Sequence, residues 1–209
     1  MTTTRQLADD LYLDVAVVGP MSNNAYLLRE ASGRALLVDA ADDAPALLDL
    51  VSGVTVETIV TTHRHHDHVQ ALAELAAATG ARTVAGRPDA QAIEQATGVA
   101  CEPLWTGDSL TLGRRTISVV GLVGHTPGSI ALVVDAGEAG VQLFTGDSLF
   151  PGGVGKTGSA EDFTSLLDDV ERELFARHGD DAVVWPGHGD HTTLGAERPH
   201  LAEWRERGW

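Results

Sequence analysis

The sequence holds a single cysteine, Cys101, in 209 residues. An internal disulfide and a thiolate zinc cluster are therefore excluded. No histidine or basic residue adjoins Cys101, so it reads as a buried or idle thiol rather than a nucleophile. No apolar run approaches the roughly 18 residues of a membrane span. The start, Met1 to Asp10, lacks the apolar centre of a signal peptide, and a cytoplasmic chain is expected. Cations are scarce: 14 Lys and Arg stand against 30 Asp and Glu, a net charge of −16, and Lys156 is the only lysine. So acidic a surface argues against a nucleic-acid partner, whose phosphates want basic residues. The charge itself reads as solubility. With 43% hydrophobic residues and no low-complexity linker, one domain over residues 1–209 is expected.

What the sequence does supply is histidine in one place. Ile59 to Thr62 is β-branched and reads as a buried strand. Directly after it come His63, Arg64, His65, His66, Asp67 and His68. Four buried imidazoles so close together cannot easily share hydrogen-bond partners. A metal resolves this by taking the lone pairs directly. The bland alternative, a solvated histidine-rich loop, weakens as further candidates appear downstream.

Along the chain, Leu11 to Val18 reads as a strand ending at Gly19-Pro20, and Asn24 to Arg29 with Arg34 to Val38 as a hairpin. Asp39 closes that second strand, either as a solvated cap or as a carboxylate that orients a metal-bound histidine. Asp43 to Val51 predicts a short helix. A second helix is expected from Asp67, carrying Val69, Leu72, Leu75 and Ala76 inward and stopping at Gly80. Arg82 to Ala85 predicts a strand and Pro88 to Ala96 a helix, so this half implies a partly parallel sheet. Then Ser109 to Leu112, Arg115 to Gly121, Ser129 to Asp135 and Val141 to Phe144 read as an antiparallel layer. Glu161 to His178 is amphipathic, Ala182 to Trp185 reads as the last strand, and the tail from Leu194 as helical. The fold class expected is α+β, two packed sheets with helices on both outer faces.

Three more candidates stand where strands give way to glycine turns: His125 before Thr-Pro-Gly, Asp147 after Gly146, and His188 after Gly187. Five histidines and two aspartates exceed one tetrahedral zinc site. They suit two ions about 3.5–4 Å apart, bridged by a carboxylate and a hydroxide.

His63-Arg-His65-His-Asp67-His68, His125-Thr-Pro-Gly-Ser129, Gly146-Asp147-Ser-Leu-Phe150 and Gly187-His188-Gly189 resemble the metallo-β-lactamase superfamily, and within it the glyoxalase II (hydroxyacylglutathione hydrolase) branch. The resemblance implies a four-layer αββα sandwich of two mixed sheets. It implies that His63, His65 and His125 hold one metal, that Asp67, His68 and His188 hold a second, and that Asp147 bridges them. Asp67 is expected to serve catalysis as well, and Asp39 to support a ligand from behind. Arg64 and His66 fall at variable motif positions on the rim. His178, His191 and His200 match no ligand position. Two divalent ions are expected, zinc foremost, with iron or manganese also suited to N and O ligands.

The activity implied is hydrolysis of a thioester by a metal-bridging hydroxide. A thiol leaving group with a pKa of about 8.5 can depart as thiolate without a general acid, and the motifs contain no obvious acid. Gly152 to Thr157 looks like a phosphate loop but has Phe150 where that motif needs glycine. In glyoxalase II the loop after the bridging aspartate carries a basic residue facing the thiol substrate, so Lys156 is expected to bind a substrate carboxylate. Glyoxalase II proper adds a C-terminal helical region for which the residues after His188 leave no room, so another low-molecular-weight thiol ester is as plausible as a hydroxyacylglutathione. The alternatives are a persulfide dioxygenase with one iron on His63, His125 and Asp147, a lactonase or other hydrolase, and an inactive metal-binding protein.

Overall fold

The computed structural model describes residues 2–208. Seven strands form the first sheet: β1 (Thr2–Ala8), β2 (Leu11–Val18), β3 (Asn23–Glu30), β4 (Arg34–Val38), β5 (Thr55–Thr61), β6 (Arg82–Gly86) and β7 (Glu102–Leu104), in that spatial order. β1 to β4 pair antiparallel; β4 to β7 run parallel. The parallel links are crossovers. α1 (Ala44–Leu50) joins β4 to β5, α2 (Leu72–Thr79) joins β5 to β6, and α3 (Ala90–Thr97) joins β6 to β7. The second sheet draws on β8 (Ser109–Leu112), β9 (Arg115–Gly121), β10 (Ile130–Asp135), β11 (Val141–Gly146), β14 (Val183–Pro186) and β15 (Thr192–Thr193), in the order β15-β14-β11-β10-β9-β8. A small hairpin, β12 (Leu149–Phe150) with β13 (Gly153–Val154), stands apart.

Each strand's alternation sends side chains into two different cores. Leu28, Leu36, Val38 and Val60 of the first sheet meet Val119, Leu132, Phe144 and Trp185 of the second in the central core. Leu27, Leu37 and Ile59 face outward onto Leu47 of α1, Leu72 and Leu75 of α2 and Ile93 of α3. On the far side, Ala131, Leu143 and Val184 meet Leu166, Leu167 and Val170 of α4 (Ala160–Val170) and Trp204 of the last helix. The strands are apolar on both faces because both faces are covered, which is why they read as near-continuous hydrophobic runs. The layers run helix, sheet, sheet, helix, as expected.

Three local expectations need correction. No continuous helix starts at Asp67: His66–His68 is a single 3-10 turn, Val69 breaks it, and α2 begins at Leu72. Inserting that break lets His68 turn inward. The amphipathic segment from Glu161 is not one regular helix, because α4 passes into a π turn at Glu171–Phe175. Ala182 to Trp185 is not the last strand, since β15 pairs antiparallel with β14 before α5 (Leu194–Glu197) and α6 (Leu201–Arg207) close the chain. And β1 was not foreseen: its threonines and Arg5 are exposed and show no alternation. Among the described residues no helix is long and apolar enough to cross a membrane.

The two sheets are joined at one end by the loops that carry the candidate ligands. Thr62 accepts a backbone hydrogen bond from Ile130 (2.9 Å) and Gly187 one from Asn24 (2.7 Å) across the sheets, and Gly146 one from Gly187 (2.9 Å) within the second. The C-terminal ends of β4, β5, β11 and β14 all point there, the end of parallel strands where ligands are usually bound.

Candidate metal centre

The structure brings all seven sequence-predicted ligands together. Three overlapping groups have their ligand atoms within 4.8 Å of one another: His63, His65 and His125; His63, His68 and Asp147; and Asp67, His68 and His188. Asp147 lies between the outer groups, with Oδ2 3.6 Å from both His125 Nε2 and His188 Nε2, and Oδ1 3.4 Å from His68 Nε2.

Hydrogen bonds on the far side of each ring fix which nitrogen faces inward. His125 Nδ1 donates to the Lys156 carbonyl (2.6 Å), and His188 Nδ1 to the Met21 carbonyl (3.1 Å). Thr62 Oγ1 gives its proton to Asp39 Oδ2 (2.8 Å), so its lone pair receives His63 Nδ1–H (3.1 Å). His68 Nδ1 donates to Asp39 Oδ2 (2.7 Å). In each of these four rings, when neutral, the inward nitrogen, Nε2, is then left with a bare lone pair, while His65 faces the cluster through Nδ1, 2.9 Å from His125 Nε2.

At His63 and His125 those lone pairs confront each other, whereas His68, raised to about 10, turns a proton toward His188. The Nε2 atoms of His63 and His125 are 3.3 Å apart, as are those of His68 and His188. Asp147 Oδ1 is buried without a hydrogen bond. Facing lone pairs and an orphaned buried carboxylate oxygen repel unless a cation sits among them. The donor set is all nitrogen and oxygen, which divalent transition ions accept. The residues present therefore fit the metal centre that the motifs imply.

The electrostatics agree. Burial pushes the His63 imidazolium well below its ordinary 6.5, and the neighbouring imidazoles add to it. Burial and then His125 lower His65 as well. Burial also opposes charge on His68, but Asp39 and Asp147 outweigh it and push that ring up to about 10. Positive charge is thus drawn to this point, and a bound cation would take the proton's place. For Asp67 and Asp147 burial works toward protonation, but the Asn23 amide on Asp67 and the His68 ring on Asp147 hold both carboxyls below the ordinary range.

Local sequence explains the closeness. A Cβ on Gly187 would lie 2.1 Å from Asp147 Oδ1 and 2.7 Å from His68 Cε1. Only glycine lets the His188 loop pass so near. Asp39 adopts φ 58°, a left-handed conformation sparsely used outside glycine, and its carboxylate accepts from Thr62 N (2.7 Å), Thr62 Oγ1 and His68. Asp39 thus orients a histidine and is no solvated cap. Arg64 and His66 are exposed on the rim. His191 stacks on Trp185 outside the cluster (4.8 Å between ring centres).

Reading the sequence missed the residues that hold the ligands in place. Asn23 Nδ2 donates to Asp67 Oδ2 (2.8 Å). Asn24 Nδ2 donates to the Pro186 and Gly189 carbonyls (3.0 and 2.9 Å), and Tyr26 Oη to the Pro186 carbonyl. The adjacent asparagines at the head of a strand, where amides are depleted, were the available signal.

The superfamily model described as "Metallo-beta-lactamase superfamily" matches residues 18–188. The chain belongs to that superfamily. It is 39% identical over 136 residues to a hydroxyacylglutathione hydrolase of Fuscovulum blasticum, covering 64% of this chain and 51% of that protein, so the chain spans about half that relative's length. It is 26% identical over 204 residues to hydroxyacylglutathione hydrolase GloC of Haemophilus influenzae, covering 89% of this chain and 94% of that one. Among solved structures it is similar to the BLEG-1 B3 metallo-beta-lactamase (TM-score 0.79, 28% identity, 92% and 99% of the two chains). It is also similar to TTHA1623 in a di-iron-bound form (TM-score 0.75, 32% identity, 88% and 96%) and to ETHE1 of Myxococcus xanthus (TM-score 0.77, 26% identity, 93% and 84%).

Proposed function

We propose that this chain is a single-domain, metal-dependent hydrolase of small-molecule thioesters, either a hydroxyacylglutathione or another low-molecular-weight thiol ester. The observation that carries the reading is the convergence of seven nitrogen and oxygen ligand side chains around Asp147, with the His63 and His125 Nε2 atoms 3.3 Å apart. The names of the relatives support the substrate class. His63, His65 and His125 would hold one divalent ion; Asp67, His68 and His188 the other; Asp147 would serve both. Zinc is the first choice, and the di-iron form of TTHA1623 keeps iron in view.

Bound there, the ions supply a water acidified to hydroxide near neutral pH and positive charge for a developing oxyanion. The chain's own residues do the rest. Asn23 fixes the Asp67 carboxylate, which stays ionised and would accept a hydrogen bond that orients the water. The carbonyls of Lys156 and Met21 and the Asp39 carboxylate keep the protons of His125, His188 and His68 on Nδ1. The Lys156 side chain lines an open cleft of about 380 Å³ with Val154 and Phe163, where it would meet the substrate's carboxylate. A thiolate leaves without an acid.

The test is metal analysis of the purified protein together with a thioester and persulfide screen. Two ions per chain with thioester cleavage is the expected result. One iron per chain, with oxygen uptake on a persulfide and no thioester cleavage, would replace this reading with the oxygenase one. β-Lactam or lactone turnover alone would place the chain with the other hydrolases of the fold.

A further inference from the structure

Asp89 stands at the N-cap position of α3, yet its side chain makes no capping hydrogen bond to that helix. Aspartate at this position ordinarily accepts from the free N–H groups of the first turn. Here the fully buried carboxylate turns away and joins two loops. Oδ2 accepts from the Arg64 backbone N–H (3.0 Å) and from Thr126 Oγ1 (2.6 Å). Arg64 lies between His63 and His65, and Thr126 directly follows His125. One oxygen therefore grips the neighbours of all three members of one ligand group.

The surroundings are built for that grip. Ser129 Oγ, 2.7 Å from Thr126 Oγ1, supplies the proton that leaves Thr126 free to donate to Asp89. Gly128 brings its loop so close that a Cβ there would stand 2.4 Å from Asp89 N and 2.7 Å from its Cβ. Asp89 Oδ1 is buried with no hydrogen bond, and its nearest cation, Arg64 Nε, lies 3.7 Å from it. A buried carboxylate oxygen left so is unfavourable for folding. No comparable link from Asp89 reaches Asp67, His68 or His188 among the described residues.

We propose that Asp89 is a positioning residue that sets the spacing of the His63, His65 and His125 group by tying its two loops together. The inference rests on the two-ion reading above and concerns one half of that centre only. The experiment strips the full-length protein with chelator and titrates it with cobalt(II), following binding by absorption and calorimetry. His125→Ala and His188→Ala mark which step belongs to which group. Asp89→Ala should weaken by about 10- to 100-fold the step that His125→Ala abolishes, and leave the other unchanged. Asp89→Asn keeps an acceptor oxygen and should restore most of the loss. It should not lower the melting temperature of the stripped protein, because it removes the orphaned charge. If Asp89→Ala fails to fold, Thr126→Val should weaken the same step by a smaller factor, and Thr126→Ser should restore it. Equal weakening of both steps, or of neither, overturns the assignment to Asp89. A wild-type protein that binds no cobalt overturns the centre itself, and this inference with it.

Discussion

The two halves of the candidate centre are built differently. One half comes from a single stretch of six residues and is held by side chains: His63 and His68 are fully buried, braced by Thr62 and Asp39. The other half comes from three separate loops. His125 and His188 are more open, with side-chain exposures of 8% and 24%, and each is anchored by a main-chain carbonyl. A side-chain anchor can be deleted by one substitution. A main-chain anchor survives any substitution that leaves the backbone in place. His63 and His68 should therefore lose their braces to single substitutions, whereas the rings of His125 and His188 keep theirs whatever side chains stand at Lys156 and Met21.

The largest effect expected is at Asp39. Asp39→Ala removes the brace from His68 and strands the Thr62 N–H in the interior. Metal affinity should fall by about 10- to 100-fold, and stability by about 1–3 kcal/mol, measured by metal titration and urea unfolding. A full-affinity Asp39→Ala protein would break the comparison.

Next is the pH dependence of the stripped protein. His68 is raised to about 10 from 6.5, so its contribution is complete below about pH 6.5 and is lost as pH climbs toward 10. His63 is lowered, so its unfolded form takes up a proton below about pH 6.5 that the folded form refuses, and acid weakens the fold there. The unfolding free energy should thus peak near pH 6.5 and drop by on the order of 1 kcal/mol or more between pH 7 and 9.5. Added metal should flatten the alkaline limb by replacing the His68 proton.

Lys156→Ala separates the two roles of that residue. Its carbonyl anchors His125 whatever the side chain, so metal content should hold while KM rises several-fold, about 1 kcal/mol. An unchanged KM would remove the ammonium from substrate binding. The smallest effect is expected at Met21, which is 60% exposed and braces His188 through its carbonyl alone. Met21→Ala should shift metal affinity and stability by no more than about 0.5 kcal/mol. A large loss would show that the open half depends on side chains after all.

The same division explains what could be read from the sequence. His63 to His68 announced themselves because metal-binding groups crowded six positions. His125, Asp147 and His188 were legible only because glycine turns at strand ends repeated the setting. Asn23, Asp89 and Thr126 were not, since their partners lie 44 and 37 positions away and nothing local marks the meeting. The layered architecture followed from strands apolar on both faces. The exposed strand β1 carried no such pattern: it exists because β2 had an open edge to pair with. The helix expected from Asp67 lost to the need to bury His68.

The π turn at the end of α4 has a consequence for how this chain tolerates change in length. Its wider loop absorbs one extra residue relative to α-helical winding, and Leu174 and Phe175 still land beside Leu166, Leu167 and Val170. Deleting one residue from 171–175 would therefore restore an ordinary spiral and leave everything beyond it on the face it already occupies.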